Sequence, residues 1–356
     1  MTNKLIRRVW FTRAPMSGWY RYGDVFQLTP APPPINPTGV IMYDYPTIVD
    51  INHDPRIWTE RSPEDDFWFR DVWERNRDVH LQKQSGSVEQ AETYQELSRQ
   101  NRLSAIDTEI QVLLTILTNS TFSDYRGNTN SWFIVLSDSG ISDPVWGQPL
   151  YPLAELEIAK ESFSSTSEEQ VKTTSSENYY GRTRNVIAEE IEFPSFLDDL
   201  FTRYFSLDPK RKDAFYRACL LWVQANDRRM PPSMSLVAEV SAIETLVHWG
   251  DPDPERCDKC NTFLGPDTCD ACGNTKHGLT RRFREFMMPY AGTSTKKLAN
   301  RMYDLRSLVS HQGDLLRDDL FDSGFNTGDD DKQFFLQMNA SKATRLAIVR
   351  WFIAQE

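Results

Sequence analysis

Four of the five cysteines lie close together in the second half of the chain, at a spacing typical of a metal site. Cys257 and Cys260 form one C-x2-C pair, and Cys269 and Cys272 form another after an eight-residue spacer. Two such turns supply the tetrahedral four-sulfur shell that zinc prefers. Because this shell leaves no position for water, the pairs predict a structural Zn2+ ion, with an iron–sulfur cluster or a redox pair as alternatives.

The segment that contains these pairs, residues 251–275, has few apolar residues of its own. We therefore expect the metal to supply its folding energy. The fifth cysteine, Cys219, lies on the apolar face of a predicted helix. We interpret it as a small buried hydrophobic residue rather than as a nucleophile.

The second pattern that could support chemistry is an arginine followed five positions later by a histidine. Arg306 and His311 have this spacing, and so do Arg75 and His80 in the first half of the chain. A guanidinium binds phosphate through parallel hydrogen bonds, and an imidazole exchanges protons near neutral pH. The spacing alone is a weak signal because such pairs arise by chance, so the surrounding residues must distinguish the two.

The elements that would position these residues differ between the two halves of the chain. Residues 1–190 combine short β-branched and aromatic runs with stretches of helical periodicity, which predicts an α+β domain. A polar run at 162–177 predicts a mobile loop near the domain boundary. The predicted strands are 9–11, 39–43 and 132–136, and the predicted helices are 63–80 and 89–117.

Residues 195–356 have the pattern of an all-α bundle, in which apolar residues recur at steps of three and four. The cysteine pairs at 251–275 are an insertion into this bundle. In the last helix we expect Leu346, Val349, Phe352 and Ile353 to face inward. The predicted helices are 196–204, 209–226, 231–250, 279–288, 293–310 and 341–353.

The composition excludes several classes of protein. The chain has 356 residues, a formal net charge of −11 and 12% aromatic residues, which favours a folded protein. No run of 18 apolar residues and no apolar signal segment is present, so we expect a cytoplasmic protein with no membrane partner. The negative charge argues against binding nucleic acid over the whole surface.

The helix that contains Arg306 resembles one that reads roughly Y-x-L-R-S-x-x-V-H-G in the Apea-like family of HEPN domains. The corresponding residues are Tyr303, Leu305, Arg306, Ser307, Val309 and His311. The segment 240–246 is similar to the ALE-x-L helix of the same family. The resemblance covers about residues 205–356 and none of 1–190.

The chain departs from the family pattern in two places. Gln312 separates the histidine from its glycine, and the cysteine pairs interrupt the bundle between the two matching helices. Neither change removes a catalytic residue, although the insertion can alter substrate access. Arg75 and His80 lack the flanking matches, and we interpret that pair as a coincidence.

HEPN domains are all-helical and usually dimeric, and many are metal-independent ribonucleases. The resemblance therefore implies a HEPN-like bundle, an RNA substrate, a homodimer, and Arg306 and His311 as the catalytic pair. RNA supplies its own 2′-hydroxyl nucleophile, so His311 would be the general base or acid and Arg306 would hold the phosphate, with no cofactor for catalysis. Related proteins are often linked to prokaryotic toxins or anti-phage defence, which implies that residues 1–190 sense a trigger or regulate the nuclease.

Further residues near this pair have supporting roles in the hypothesis. Glu244, Asp304 and Ser307 are the supporting candidates, and the first two are possible ion-pair partners of Arg306. Residues 275–311 contain eight basic and two acidic residues, which suits a local phosphate-binding surface. The basic candidates for RNA binding are Arg281, Arg282, Arg284, Lys296, Lys297 and Arg301.

Helix geometry places a condition on the catalytic pair. Five positions along a regular helix put Arg306 and His311 about 140° apart, so the pair needs a helix end that loosens after Val309 or a partner chain. Two alternatives remain open. One is a non-catalytic HEPN module that binds nucleic acid or dimerises, and the other is a zinc-knuckle adaptor that binds a protein partner.

Overall fold

A computed structural model of the chain describes residues 5–31, 45–53, 104–124, 131–133, 136–137, 140–141, 145–147, 159–160, 162–167, 169–175, 179–181, 190–227, 230–247, 259–260, 271, 279–316, 319 and 330–355. The chain divides into two compact units. Unit 1 contains Met1–Ser176 and Arg184–Phe201, and unit 2 contains Glu177–Thr183 and Thr202–Glu356. The predicted strand 39–43 and helix 63–80 lie outside the described residues.

Unit 1 is built on a six-stranded antiparallel sheet with strand order β10-β1-β4-β3-β2, and β5 also pairs with β1. β1 pairs with β4 along its whole length, and both strands are largely buried. Two small antiparallel pairs, β6 with β9 and β7 with β8, lie outside this sheet. The strands are β1 Leu5–Thr12, β2 Tyr20–Tyr22, β3 Phe26–Pro30, β4 Tyr45–Asn52, β5 Phe122–Asp124, β6 Ser131–Phe133, β7 Leu136–Ser137, β8 Gly140–Ile141, β9 Val145–Gly147, β10 Ala159–Lys160, β11 Thr173–Thr174 and β12 Phe193–Pro194.

Helix α1, residues 104–117, contributes to the unit 1 core. Its apolar residues repeat at helical spacing, and the described members of the predicted face are all buried. Asp107 of this helix accepts hydrogen bonds from Arg8 at 2.8 Å and from His53 at 2.9 Å. The buried residues of the face are Ile106, Ile110, Leu113, Leu114 and Leu117.

The described part of the polar run at 162–177, residues 162–167 and 169–175, makes contacts within unit 1. The Ser164 hydroxyl donates to the buried carboxylate of Asp50 at 2.6 Å. Arg7 binds the same carboxylate through Nε at 2.7 Å and Nη2 at 3.1 Å. Further along, β11 pairs in parallel with β12. Backbone pairing and contacts with a partly buried ion pair therefore connect these described residues to the rest of unit 1.

Unit 2 is helical in its described part, which confirms the predicted change from an α+β to a helical pattern. Helix α2, Leu197–Ser206, begins in unit 1 and ends in unit 2. α5 continues past Pro289, and α7 begins at Asp330 rather than at 341. The helices are α2 Leu197–Ser206, α3 Pro209–Ala225, α4 Pro232–Val247, α5 Leu279–Ala291, α6 Lys296–Gln312 and α7 Asp330–Ile353.

The core of unit 2 forms where α3, α4 and α7 pack together. The rings of Phe215 and Phe352 stack with centroids 4.1 Å apart, and Trp222 donates from Nε1 to the Ser341 carbonyl at 2.9 Å. Cys219 is fully buried, as predicted, and burial raises the pKa of its thiol. Ile353 is 40% exposed, contrary to the prediction, because it is the last residue of α7 and lies beyond the buried Trp351 and Phe352.

None of the helices in the described ranges is long and apolar enough to cross a membrane.

Candidate functional site

Helix α6 contains both members of the predicted catalytic pair, and its two ends are well defined. The short 3-10 turn Thr293–Thr295 precedes it, and Gly313 ends it with a φ of 72°. This left-handed conformation suits glycine and is the usual way to stop a helix. The helix is therefore regular through His311 and does not loosen after Val309, so that condition for a site within one chain is not met.

Arg306 lies in a polar cluster at which three helices meet. Its Nη2 donates to Glu244 Oε2 on α4 at 3.2 Å, with 22% of the Arg306 side chain and 13% of the Glu244 side chain exposed. The guanidinium lies 5.8 Å from the ring centroid of Tyr303, one turn earlier on α6. Thr280 on α5 interacts with the Tyr303 hydroxyl. We call these four residues the arginine cluster.

The electrostatics of the arginine cluster keep the Tyr303 hydroxyl protonated. Burial raises the pKa of Tyr303, and the negative charge of Glu244 raises it further. A hydrogen bond from Thr280 and the charge of Arg306 act in the opposite direction and do not cancel the increase. A protonated phenol beside a carboxylate is a donor that the carboxylate can accept.

Two polar atoms of the cluster are buried without a hydrogen-bond partner among the described residues, Arg306 Nε and Glu244 Oε1. The ion pair therefore joins Nη2 of the guanidinium to Oε2 of the carboxylate and leaves Nε and Oε1 without a hydrogen bond. Arg7 and Asp50 in unit 1 make two contacts, at 2.7 Å and 3.1 Å. The guanidinium of Arg306 consequently retains hydrogen-bonding capacity that its protein neighbours do not use.

His311 is exposed and lies on a different face of α6 from Arg306. In a regular helix the two residues are about 140° apart around the axis and about 7.5 Å apart along it. The structure therefore does not bring the predicted catalytic pair together within one chain. His311 instead lies on an exposed stripe with Asp304 and Lys297, which precede it by multiples of seven positions.

The three supporting candidates differ in their position relative to Arg306. Glu244 is the ion-pair partner of Arg306. Asp304 is exposed on the His311 face, and Ser307 is partly buried next to Arg306 in the chain. The structure thus joins one of the two possible acidic partners to Arg306 and places the other on a different face of the helix.

The predicted RNA-binding residues lie on α5 and α6. Lys296, Lys297 and Arg301 are exposed. Arg281 forms an ion pair with Glu285 at 2.6 Å, and Arg284 donates from Nε to the Thr280 carbonyl at 3.1 Å. Arg282 is partly buried. The basic side chains of α6 are therefore more available to a phosphate backbone than the arginines of α5.

Most of the predicted metal site lies outside the described residues. Of its four cysteines, Cys260 is described and is exposed, and Cys257, Cys269 and Cys272 are not described. Within the part of the chain that the structure describes, no group of three His, Cys, Asp or Glu residues could hold a metal ion. Arg75 and His80 also lie outside the described residues.

Tyr303 and Thr280 are members of the arginine cluster that the sequence patterns do not identify as functional residues. Tyr303 precedes Arg306 by three positions, and this helical spacing is a signal in the sequence that the two side chains share a face. No comparable signal existed for Thr280, whose proximity depends on how α5 packs against α6.

No family model, no curated protein and no solved structure matches this chain.

Proposed function

We propose that the protein is a metal-independent endoribonuclease in which Arg306 and His311 act on RNA. The observation that supports this most directly is the arginine cluster, in which the partly exposed guanidinium of Arg306 has one donor, Nε, without a partner among the described residues. The same helix ends with an exposed histidine. A guanidinium that can bind phosphate and an exposed imidazole are the two groups that cleavage of RNA by its own 2′-hydroxyl requires.

The proposed reaction is an in-line displacement at phosphorus. The 2′-hydroxyl oxygen forms a bond to the adjacent phosphorus while the bond to the 5′-oxygen breaks. His311 accepts the 2′-hydroxyl proton or supplies a proton to the departing 5′-oxygen. Arg306 binds the phosphate oxygens as their negative charge increases. The products are a 2′,3′-cyclic phosphate and a 5′-hydroxyl.

A homodimer is part of this proposal because one regular helix does not place both groups on one phosphate. Arg306 of one chain and His311 of another would form each site across a two-fold axis. Mixing the Arg306→Ala and His311→Ala variants tests this directly. A composite site predicts recovery of about one quarter of wild-type activity, since half of the dimers are mixed and each mixed dimer has one intact site. No recovery after subunit exchange contradicts a site shared between chains.

The exposed charges of α6 support a path for the RNA backbone. Lys296, Lys297 and Arg301 lie on the helix that contains the catalytic pair. We propose that these residues bind phosphates without reading sequence. Substituting Lys297 and Arg301 by Gln should weaken RNA binding and reduce its salt dependence, while leaving the cleavage products unchanged.

The zinc ion is proposed as a structural component. Cys257, Cys260, Cys269 and Cys272 provide a donor set of four thiolates, which suits Zn2+ and leaves no open position for substrate. We therefore assign the metal to folding of residues 251–275 and give it no part in the reaction.

Cleavage assays without added Mg2+ test the ribonuclease, and EDTA is omitted because it would also remove the proposed structural zinc. Arg306→Ala and His311→Ala should each lower the rate by about 10²- to 10⁴-fold, since each removes a charge-stabilising or proton-transferring group. Arg217→Ala is a matched control because Arg217 is exposed and pairs with Asp213 on α3. Equal cleavage by wild type and both variants contradicts the site assignment. Cleavage lost in Arg75→Ala and His80→Ala instead would assign it to the other pair.

A second candidate function is a non-catalytic RNA-binding module. The observation that favours it is that Arg306 is already ion-paired with Glu244 and lies on a different face from His311. This module would bind RNA in gel-shift assays without producing cyclic-phosphate ends. A chain that neither cleaves nor binds RNA would instead fit a zinc-knuckle adaptor.

The biological setting that we propose is a toxin or anti-phage defence effector, with unit 1 as the regulator. An active ribonuclease harms the cell that makes it, so an idle state is expected. Expression of wild type together with its trigger should stop growth, and expression of His311→Ala should not. Growth arrest by both proteins argues against RNA cleavage as the cause.

A further inference from the structure

We infer that Glu244 occupies the phosphate position on Arg306 in the resting protein, and that RNA binds Arg306 by displacing this carboxylate. The inference rests on the proposed function, because it concerns how the same site receives its substrate. It assigns Glu244 the role of a competing anion, which is the opposite of a group that prepares Arg306 for substrate.

The geometry of the pair supports displacement. Arg306 and Glu244 share one contact of 3.2 Å, whereas close guanidinium–carboxylate pairs usually have two shorter bonds. Arg7 and Asp50 of the same chain show the two-contact arrangement, with 2.7 Å for the shorter bond. The contact between Arg306 and Glu244 is therefore the weaker of the two pairs.

The unused atoms show what an incoming phosphate would gain. Arg306 Nε is buried and has no partner among the described residues, although it lies on the same guanidinium as the bonded Nη2. A phosphate oxygen pair can accept from two guanidinium nitrogens at once. Exchanging one carboxylate contact for two phosphate contacts satisfies a donor that is buried and unpaired in the resting state, which is a favourable change.

The surroundings of Glu244 show that it would keep an interaction after the exchange. The Tyr303 hydroxyl lies close enough for the charge of Glu244 to raise the Tyr303 pKa, so the phenol stays protonated and can donate to the carboxylate. Arg306 is the more exposed partner, at 22% against 13% for Glu244. The guanidinium is thus the member of the pair that can turn toward solvent and RNA.

Binding of an uncleavable RNA distinguishes two roles for Glu244. Either Glu244 competes with RNA for Arg306, or it prepares Arg306 to bind RNA. The probe is a short 2′-O-methyl RNA, and its Kd is measured by fluorescence anisotropy for wild type and Glu244→Gln. Loss of a weak, partly exposed ion pair should tighten binding about threefold. Glu244→Asp, which keeps the charge but shortens the side chain, should tighten binding by a smaller factor. It also provides a second test if the first variant folds poorly.

Two controls show whether the effect acts through Arg306. Asp213→Asn removes one exposed acid from α3 and should leave the Kd unchanged. In the Arg306→Ala background, Glu244→Gln should also have no effect. Weaker or unchanged binding by both Glu244 variants overturns the inference. So does tightening that persists without Arg306, or binding that does not depend on Arg306 at all.

Cleavage of unmodified RNA by the same proteins distinguishes the two proposals. Arg306-dependent binding that Glu244→Gln strengthens, without any cleavage, contradicts the ribonuclease but supports displacement. Cleavage that requires Arg306, combined with weaker binding by Glu244→Gln, supports the ribonuclease but contradicts displacement.

Discussion

At the scale of single residues, burial distinguishes Cys219 from Cys260. Cys219 is fully buried on α3 and burial raises the pKa of its thiol, whereas Cys260 is exposed. Because the thiolate is the reactive form, a raised pKa and lack of access both slow reaction. The presence of a cysteine in the sequence therefore does not by itself show whether its thiol is reactive.

We expect a maleimide to modify Cys260 in metal-free native protein and to leave Cys219 unmodified until the protein unfolds. Peptide mass spectrometry after timed labelling measures both sites, and the control is labelling in guanidinium chloride, where all five cysteines should react. Equal labelling rates for Cys219 in native and denatured protein would contradict its burial.

A second residue-scale prediction concerns Glu239 on α4, which is 2% exposed. Burial raises its pKa well above the ordinary glutamate value, and a hydrogen bond with Ser341 offsets part of that increase. The folded state therefore binds this proton more tightly than the unfolded state. The stability that the protonated Glu239 contributes is complete when the pH is below the pKa of this carboxyl in the unfolded state. It is lost as the pH rises toward the pKa of the same carboxyl in the folded state.

Glu239→Gln should therefore stabilise unit 2 at neutral pH and flatten the dependence of unfolding free energy on pH. The slope that it removes is at most about 1.4 kcal/mol per pH unit. Urea unfolding at several pH values above 5 measures this slope. Glu192→Gln, at a partly exposed acid of unit 1, is the control. An unchanged slope in Glu239→Gln would show that the carboxylate is not the titrating group.

At the scale of elements, the position where α6 stops determines what its residues can do together. The helix continues to Gln312 and ends at Gly313 in the left-handed conformation. Since the backbone stays helical through both residues of the predicted pair, Arg306 faces α4 and His311 faces solvent. The spacing of the motif was visible in the sequence, but whether the helix continued beyond Val309 was not.

The short 3-10 element Tyr179–Gly181 is a second element whose contacts are not evident from the sequence. It belongs to unit 2, although the chain before Glu177 and after Thr183 belongs to unit 1. The guanidinium of Arg345 on α7 is buried and lies 5.1 Å from the centroid of the Tyr180 ring. It also lies 5.9 Å from the centroid of the Trp222 ring. A desolvated cation between aromatic rings contributes more than an exposed one.

Tyr180→Leu should lower the free energy of unfolding of unit 2 by about 2 kcal/mol, because the buried cation loses an aromatic partner. Native-state hydrogen exchange of the α7 amides gives the local value. Tyr290→Leu is the matched control, since the Tyr290 ring packs against Phe286 with centroids 4.9 Å apart. Equal losses in both variants would show that ring size, and not the cation, is responsible.

At the scale of the whole molecule, the net charge of −11 is a sum over unlike regions. Residues 275–311 contain eight basic and two acidic residues, and they include α5 and α6. A basic stretch on an acidic protein confines phosphate binding to one region. The RNA site that we propose would lie in this basic region.

The proposed zinc ion gives a prediction at this scale, because its loss should affect the folding of residues 251–275. Purified protein should contain about one zinc ion per chain, and EDTA should lower the Tm. Cys269→Ser should reduce the metal content, whereas Cys219→Ser should leave it unchanged. Metal content well below one per chain together with an unchanged Tm on chelation would exclude a structural zinc.

Periodicity and composition by themselves predicted the change from an α+β to a helical pattern, and the starts of α3 and α5 at Pro209 and Leu279. These features are local, since a helix records its buried face and its end signals within its own residues. Residue type and spacing in the sequence, together with the resemblance to HEPN domains, also provided the candidates Arg306, His311 and Glu244.

Tertiary structure alone decided which of these candidates meet. Glu244 and Arg306 are far apart in the chain and pair because α4 packs against α6, whereas the nearer Asp304 lies on another face. The start of α7 at Asp330 and the partners of Ser164 were likewise not visible, because each depends on residues distant in sequence. Spacing determines the direction of a side chain on its own helix, but only packing between elements determines which side chain lies opposite.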